Sequence, residues 1–303
     1  MATNALNLPE NEYLLPGNRA CAGCSVGIVF RHLSKALEGK AIFVVPASCF
    51  TVLCGMYPTA SVTVPVMNSV FPGTAACASG IAASLKKQGR EDITVVAMAG
   101  DGGTADIGIQ GLSGAAERNA NVFFVCYDNE AYMNTGTQRS GLTPLGARTS
   151  TTPTLGKGQF PKDMPAIVEA HDVPYIATAS PGYPGDLYDK VRKARAIFGT
   201  RYMHINAPCP AGWQFAPGQT VAMAKSAVET RAFILYEIEN GKFRLTGRSL
   251  ALAGKDKFPG ISEFLRHQGR FSKLDEALAA QLQARVEERW RQAVARHIAC
   301  EQQ

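Results

Sequence analysis

Two sets of residues in this sequence have types and spacings that could do chemistry. The first is Gly100-Asp101-Gly102-Gly103, followed farther along the chain by Asp128-Asn129. Asp101 can offer a carboxylate oxygen, Asn129 an amide oxygen, and the turn beyond it a backbone carbonyl such as that of Ala131. Oxygens of this kind suit Mg²⁺, which takes near-octahedral oxygen ligands and usually completes its shell with phosphate and water. A helix beginning near Thr104 would point free N–H groups at the same place, as a phosphate requires. On spacing alone, Asp101 could equally well only cap that helix. The second set is Cys21-x-x-Cys24, with Cys49 and Cys209 farther along the chain. A lone C-x-x-C is compatible with a redox dithiol, zinc or iron–sulfur ligation, and a cluster needs two further thiolates.

The hydrophobic pattern says what must position these residues. Residues 93–99 and 122–127 are continuous apolar runs, which predict buried parallel strands. The segment between them predicts a helix with Ile107, Leu112 and Ala115 toward the sheet. Residues 41–46, 175–178 and 201–206 predict further strands. Residues 26–37, the small-residue stretch ending at Lys87, and residues 165–170, 184–198 and 221–231 predict helices. This order predicts an α/β fold, a mainly parallel sheet with helices on both faces. Cys49, Asp101, Asn129 and Cys209 all follow predicted strands, where ligands gather in such sheets. Residues 233–246 predict a hairpin turning at Asn240-Gly241, and residues 274–298 a charged amphipathic helix. No repeat or linker divides the chain. Residues 1–303 read as one domain, with an N-terminal arm over 1–20 and a hairpin and helix extension over 219–303.

Residues 134–161 form a long connection rich in Gly, Ser, Thr and Pro. Loops longer than about 15 residues inside compact domains are usually functional or disordered. Asn134, Thr135 and Gln138 are expected nearest the diphosphate. Arg139, Arg148, Lys157 and Lys162 could simply be solvated; beside a diphosphate site, a loop this polar is expected as a cover or a subunit contact. Cys54 is expected in a loop, Cys77 and Cys126 as buried thiols, and Cys300 in a tail. His204, on a strand, is expected to be a satisfied core histidine.

The central unit carries a resemblance. GDG, 25 residues, then Asp-Asn resembles the thiamine-diphosphate motif. NEAYMNTG over residues 129–136 is similar to its form in 2-oxoacid:ferredoxin oxidoreductases. HINAPCPAGW over 204–213 and PGISEFLRHQGRFSKL over 259–274 resemble segments of the β subunit of the pyruvate:ferredoxin oxidoreductase type. The resemblance implies thiamine diphosphate at Gly100, Asp101, Gly102, Gly103, Asn129, Ala131, Asn134 and Thr135. It implies Mg²⁺ on Asp101, Asn129 and Ala131, and one [4Fe–4S] cluster on Cys21, Cys24, Cys49 and Cys209, with Cys54 in reserve. Asn134 would contact the substrate.

The implied activity is coenzyme A-dependent oxidative decarboxylation of a 2-oxoacid, pyruvate by default, with electrons leaving through the cluster to ferredoxin. The implied partners are an α subunit supplying the thiamine-activating glutamate, a γ subunit and a ferredoxin-like δ subunit. The sequence departs from the family pattern at Asn18, at Ser25 and over Val45-Pro46-Ala47-Ser48. With Phe50, this last segment suggests more apolar surface and hence a bulkier 2-oxoacid such as phenylglyoxylate. A non-redox thiamine enzyme and a zinc-stabilised structural subunit remain alternatives.

Composition narrows the rest. The chain has 303 residues, 46% hydrophobic and 18% charged, with net charge +6 but no Lys/Arg run that would suggest nucleic acid. No apolar run reaches the roughly 18 residues a bilayer span needs. The N-terminus lacks the pattern of a signal peptide, so a cytoplasmic setting is expected, with its eight cysteines unpaired.

Overall fold

The computed structural model describes residues 8–255 and 257–302. Residues 1–7 of the expected arm lie outside them. In chain order come α1 (Ser25–Ala36), β1 (Ala41–Pro46), α2 (Cys49–Cys54), β2 (Val66–Ser69), α3 (Thr74–Lys87) and β3 (Thr94–Gly100). A π-helical turn (Gly102–Asp106) leads into α4 (Ile109–Glu117), β4 (Phe123–Asp128), α5 (Met164–Glu169), β5 (Tyr175–Ala179), α6 (Pro184–Ala196) and β6 (Arg201–Asn206). The chain ends with α7 (Pro210–Trp213), α8 (Thr220–Glu229), β7 (Tyr236–Glu239), β8 (Lys242–Leu245), α9 (Gly247–Ala253), α10 (Ser262–Leu265) and α11 (Glu276–Glu301).

The described strands form an eight-stranded sheet in the order β2-β1-β3-β4-β6-β5-β7-β8. Strands β1 to β6 are parallel, and β7 and β8 add antiparallel. This is the α/β fold expected from the alternating pattern. Each central strand buries both faces with a period of two. Phe43, Val45, Met98, Val125 and Tyr127 pack under α1 and α6. Val44, Ala97, Ala99, Phe124 and Cys126 pack under α3, α4, α5 and α11. Phe30, Phe43 and Phe50 meet with ring centroids 5.0–6.1 Å apart, which seats α1 and α2 on β1.

A third cluster forms around Leu145, Ala147, Trp213, Phe264, Phe271 and Leu282. It draws the long 134–161 connection, α7 and the C-terminal segment together over the carboxyl ends of the strands. The residues from 219 onward therefore extend the sheet and also brace that connection.

Several local expectations are corrected. Ile107 is 45% exposed because the helix begins earlier, as the π-helical turn, which rotates that residue away from the sheet; Leu112 and Ala115 are buried. Cys54 ends α2 and is buried, rather than sitting in a loop. Cys77 is only half-buried, and Cys300 belongs to the last turn of α11. Strand β2 escapes sequence pattern because it is an edge strand with its side chains largely outward. Lys157 is 1% exposed, not solvated.

Candidate functional site

The ends of β3 and β4 lie side by side, with Gly100 paired to Tyr127. Asp101 and Asn129 therefore leave the sheet as neighbours. Glu130 follows with φ +69°, a left-handed turn that a non-glycine residue adopts rarely and mostly where the surroundings enforce it. Those surroundings are visible. Trp213 Nε1 donates to the Asn129 carbonyl at 2.8 Å, Thr143 Oγ1 donates to the Glu130 carbonyl at 2.6 Å, and the Arg270 guanidinium pairs with the Glu130 carboxylate. The reversed turn brings the Ala131 carbonyl back toward Asp101.

The result is a convergence of three groups. The Asn129 side-chain amide stands 3.0 Å from Asp101 Oδ1 and 2.9 Å from the Ala131 carbonyl oxygen; its NH2 donates to both in the cation-free chain, and turning the amide over brings its oxygen to the same place. Oxygens bound octahedrally to Mg²⁺ at 2.0–2.1 Å stand about 2.9 Å apart along each edge. The spacing therefore suits a small hard cation. Electrostatics agree. Burial, then the neighbouring Asp128 charge, pushes the Asp101 carboxyl well above the usual carboxylate range, against the Ser140 hydrogen bond. A buried anion in that position needs a cation to stay charged.

Gly100, Asp101, Gly102, Gly103, Asn129, Ala131, Asn134 and Thr135 all line one pocket, together with Ala47, Ser48, Cys49, Phe71, Tyr127, Tyr132 and Met133. Gln138 stands behind it; its Nε2 donates to the Thr135 carbonyl at 2.9 Å and so braces the turn. Two of the glycines make room for aromatic rings. At Gly102 an added Cβ would lie 2.3 Å from the Tyr132 ring, and at Gly103 it would lie 3.1 Å from Phe71. Gly102 thus lets Tyr132 lie flat on the turn, with the Tyr132 hydroxyl donating to Asp106 Oδ2 at 3.0 Å. Gly102→Ala is expected to cost about 1–3 kcal/mol through overpacking and to weaken cofactor binding by displacing Tyr132. Thermal unfolding and cofactor titration of that variant check both effects; an unchanged melting temperature would contradict the contact.

The four cysteines of interest share the same end of the sheet. Cys24 precedes α1, Cys49 opens α2 and Cys209 precedes α7. The backbone N–H of Gly212 donates to the Cys209 sulfur at 3.4 Å. Burial, then the charges of Cys209, Cys24 and Cys21, pushes the Cys49 thiol up to about 12. The four thiols thus feel one another. Cys54 does not belong with them: burial alone raises its thiol, and it packs in the α1–β1 core. Among the described residues, no three His, Cys, Asp or Glu side chains are drawn close enough to hold one metal ion.

Met133 joins the two halves of this end. It lines the pocket, and its thioether fills the space where a Gly212 Cβ would stand, 2.1 Å from Sδ. Sequence reasoning missed Ser140, Tyr132, Thr143 and Trp213. These are ordinary residue types in a loop and a turn, and only the phrase NEAYMNTG pointed near them. His204 is 7% exposed, with Nε2 3.0 Å from Asp128 Oδ2 and Nδ1 2.9 Å from the Tyr202 hydroxyl. It lines a larger, mainly apolar cavity behind β4, walled by Phe233, Phe264 and Leu282. The oxygen triad faces the smaller pocket, so the chemistry is assigned there. No described helix is long and apolar enough to cross a membrane.

Comparison with known proteins adds to this geometry. Residues 49–205 match the family model of the thiamine pyrophosphate enzyme C-terminal TPP-binding domain. The chain is 46% identical over 286 residues to pyruvate synthase subunit PorB of Methanothermobacter thermautotrophicus, covering 93% of this chain and 97% of that protein. It is 42% identical over 295 residues to ketoisovalerate oxidoreductase subunit VorB of Pyrococcus abyssi, covering 94% and 93%. Its fold is similar to a chain of the 2-oxoglutarate:ferredoxin oxidoreductase of Magnetococcus marinus, with a TM-score of 0.57 and 21% identity over 72% of this chain and 82% of that one.

Proposed function

The chain belongs to the thiamine-diphosphate-binding β subunits of the 2-oxoacid:ferredoxin oxidoreductases, and from that premise we propose its part in the reaction. It holds thiamine diphosphate through Mg²⁺ on Asp101, Asn129 and Ala131, and a [4Fe–4S] cluster on Cys21, Cys24, Cys49 and Cys209. Its complex carries out the coenzyme A-dependent oxidative decarboxylation of a 2-oxoacid, with pyruvate the first choice. The observation that carries this reading is the convergence of the Asp101 carboxylate and the Ala131 carbonyl on the Asn129 amide, at 3.0 and 2.9 Å, inside the pocket.

When bound, thiamine diphosphate supplies the nucleophilic carbon and electron sink for decarboxylation, and an iron–sulfur cluster a one-electron acceptor. The residues of this chain do the positioning. Asp101 contributes the anionic charge that holds the metal, and Asn129 and Ala131 set its geometry with neutral oxygens. Asn134, on the pocket wall, offers an amide to the substrate. Met133 and the Trp213–Asn129 hydrogen bond tie the pocket to the helix that begins at Cys209, so both groups would sit on one rigid frame.

A cluster fits the cysteines better than zinc. Zinc sites more often use two short cysteine pairs, whereas this chain offers one C-x-x-C pair and two single cysteines far apart in sequence.

Among the described residues no glutamate lines the pocket, although thiamine needs a carboxylate against its aminopyrimidine ring. The chain is thus half of an active site, completed by another subunit. Both relatives named above are themselves subunits. An exposed apolar residue beside the pocket supports a docking partner: Val70, 72% exposed, adjoins Phe71 of the wall.

Little of the apolar segment from Val45 to Phe50 faces the pocket. Val45 and Phe50 are fully buried in the core under α1, and only Ala47, Ser48 and Cys49 of that segment reach the pocket. Pyruvate is therefore expected to be turned over at least tenfold more efficiently than phenylglyoxylate, roughly 1.4 kcal/mol of differential transition-state binding. The assay is kcat/KM in the assembled complex with coenzyme A and a viologen acceptor. It should include 2-ketoisovalerate, because a similar protein is named for that substrate. A preference for phenylglyoxylate would overturn the assignment, and turnover by the isolated chain would overturn the half-site.

A further inference from the structure

We propose that Ser140 is a positioning residue for the metal ligand Asp101, and that the turn over residues 140–143 sets the aim of that ligand. The proposal rests on the reading of Asp101, Asn129 and Ala131 as the metal's ligands. The terminal torsion of an aspartate is broad, so the side chain by itself does not choose which oxygen faces a cation. Something must hold one oxygen for the other to be aimed.

Ser140 does this. Asp101 and Ser140 are each 1% exposed, and the Ser140 hydroxyl donates to Asp101 Oδ2. The same hydroxyl oxygen accepts the backbone N–H groups of Leu142 at 3.1 Å and Thr143 at 3.2 Å. A serine hydroxyl has a single proton and two lone pairs. With both lone pairs taken, its proton is directed at Oδ2. Oδ1 is left to face Asn129 at 3.0 Å.

The turn that carries Ser140 is itself held from three sides. Lys157 is 1% exposed, and its ammonium donates to the carbonyls of Ser140 at 3.3 Å, Gly141 at 3.0 Å and Thr143 at 2.7 Å. The Gly141 N–H donates to Asp106 Oδ2 at 2.8 Å. The Thr143 hydroxyl accepts the Ser140 N–H at 2.9 Å and donates to the Glu130 carbonyl at 2.6 Å, between the other two ligands. One turn therefore touches Asp101 and also the segment carrying Asn129 and Ala131. It fixes the three oxygens relative to one another.

This arrangement has a consequence for metal choice. Mg²⁺ demands near-ideal octahedral geometry, whereas Ca²⁺ accepts six to eight oxygens at longer and more variable distances. An Asp101 free to swing should therefore cost Mg²⁺ binding more than Ca²⁺ binding. General loosening of the protein would weaken both alike.

The test uses the assembled complex carrying Ser140→Ala, Ser140→Cys, Ser140→Thr or Asp101→Asn. Thiamine diphosphate binding is titrated by calorimetry against Mg²⁺ and, separately, Ca²⁺, and the metal-free melting temperature is recorded. Ser140→Ala and the near-isosteric Ser140→Cys, whose thiol is a weak donor, are expected to raise the half-saturating Mg²⁺ about 10–100-fold and the half-saturating Ca²⁺ distinctly less. Ser140→Thr, which keeps the hydroxyl, is expected to stay near wild type. If the alanine variant does not assemble, the cysteine variant decides. An unchanged Mg²⁺-to-Ca²⁺ ratio in the hydroxyl-free variants overturns the positioning role, whatever happens to overall affinity. Mg²⁺-dependent binding that survives in Asp101→Asn overturns instead the ligand reading beneath it.

Discussion

Replacing Asp101 by asparagine is expected to abolish Mg²⁺-dependent binding of thiamine diphosphate while leaving the fold intact. The carboxylate is the sole anion among the three converging groups, and it is buried. Removing one member of a buried charge pair costs about 3 kcal/mol or more, which is over a hundredfold in affinity. The cofactor-free chain responds the other way. There Asp101 is an acid buried beside Asp128, and its charged form is disfavoured by both. Asparagine keeps the shape and removes that cost, so the metal-free melting temperature should not fall. Asn129→Ala is expected to lose less affinity, on the order of 1 kcal/mol, because a neutral oxygen contributes less. Calorimetry with and without Mg²⁺, alongside thermal unfolding, separates the two effects. Full affinity in Asp101→Asn would sink the metal assignment. A drop in metal-free stability would show instead that the carboxylate serves the fold.

The second large effect concerns the thiols. Serine at Cys21, Cys24, Cys49 or Cys209 is expected to remove or destabilise the cluster, with loss of visible absorption and a fall in iron and sulfide after anaerobic purification. Cys126→Ser and Cys300→Ser should leave iron content unchanged. Cys54→Ser is expected to behave differently again. Cys54 is buried in the same apolar core as Val26, Leu53 and Phe50, so the polar hydroxyl should cost stability without changing iron. Iron lost in Cys54→Ser and retained in Cys49→Ser would exchange the third ligand. Zinc in place of iron in wild-type protein would return the site to a structural role.

The sequence by itself determined the framework. Period-two burial with apolar runs at residues 93–99 and 122–127 leaves a parallel sheet as the arrangement that covers both faces, and glycine with Asp or Asn-containing turns marks where those strands stop. In a parallel sheet every such stop is at the same end, so the sequence alone groups Asp101, Asn129, Cys49 and Cys209.

What joins them was decided only by tertiary structure. That Gly102 accommodates the Tyr132 ring, that Glu130 turns left-handed to return the Ala131 carbonyl, and that Ser140 holds Oδ2 of Asp101 are contacts between segments far apart in the chain. Periodicity reports which face of an element is buried, not what is buried against it. The 134–161 connection illustrates the limit. Its Gly, Ser, Thr and Pro content leaves a solvated loop and a cover over the site equally open, and the structure buries Lys157 on three carbonyls. A buried ammonium is tolerable only because those carbonyls replace water, and their positions depend on the packing of Leu145 and Ala147 against Trp213 and the C-terminal segment. Residue type alone cannot say which polar groups will find such partners, because the partners come from the fold.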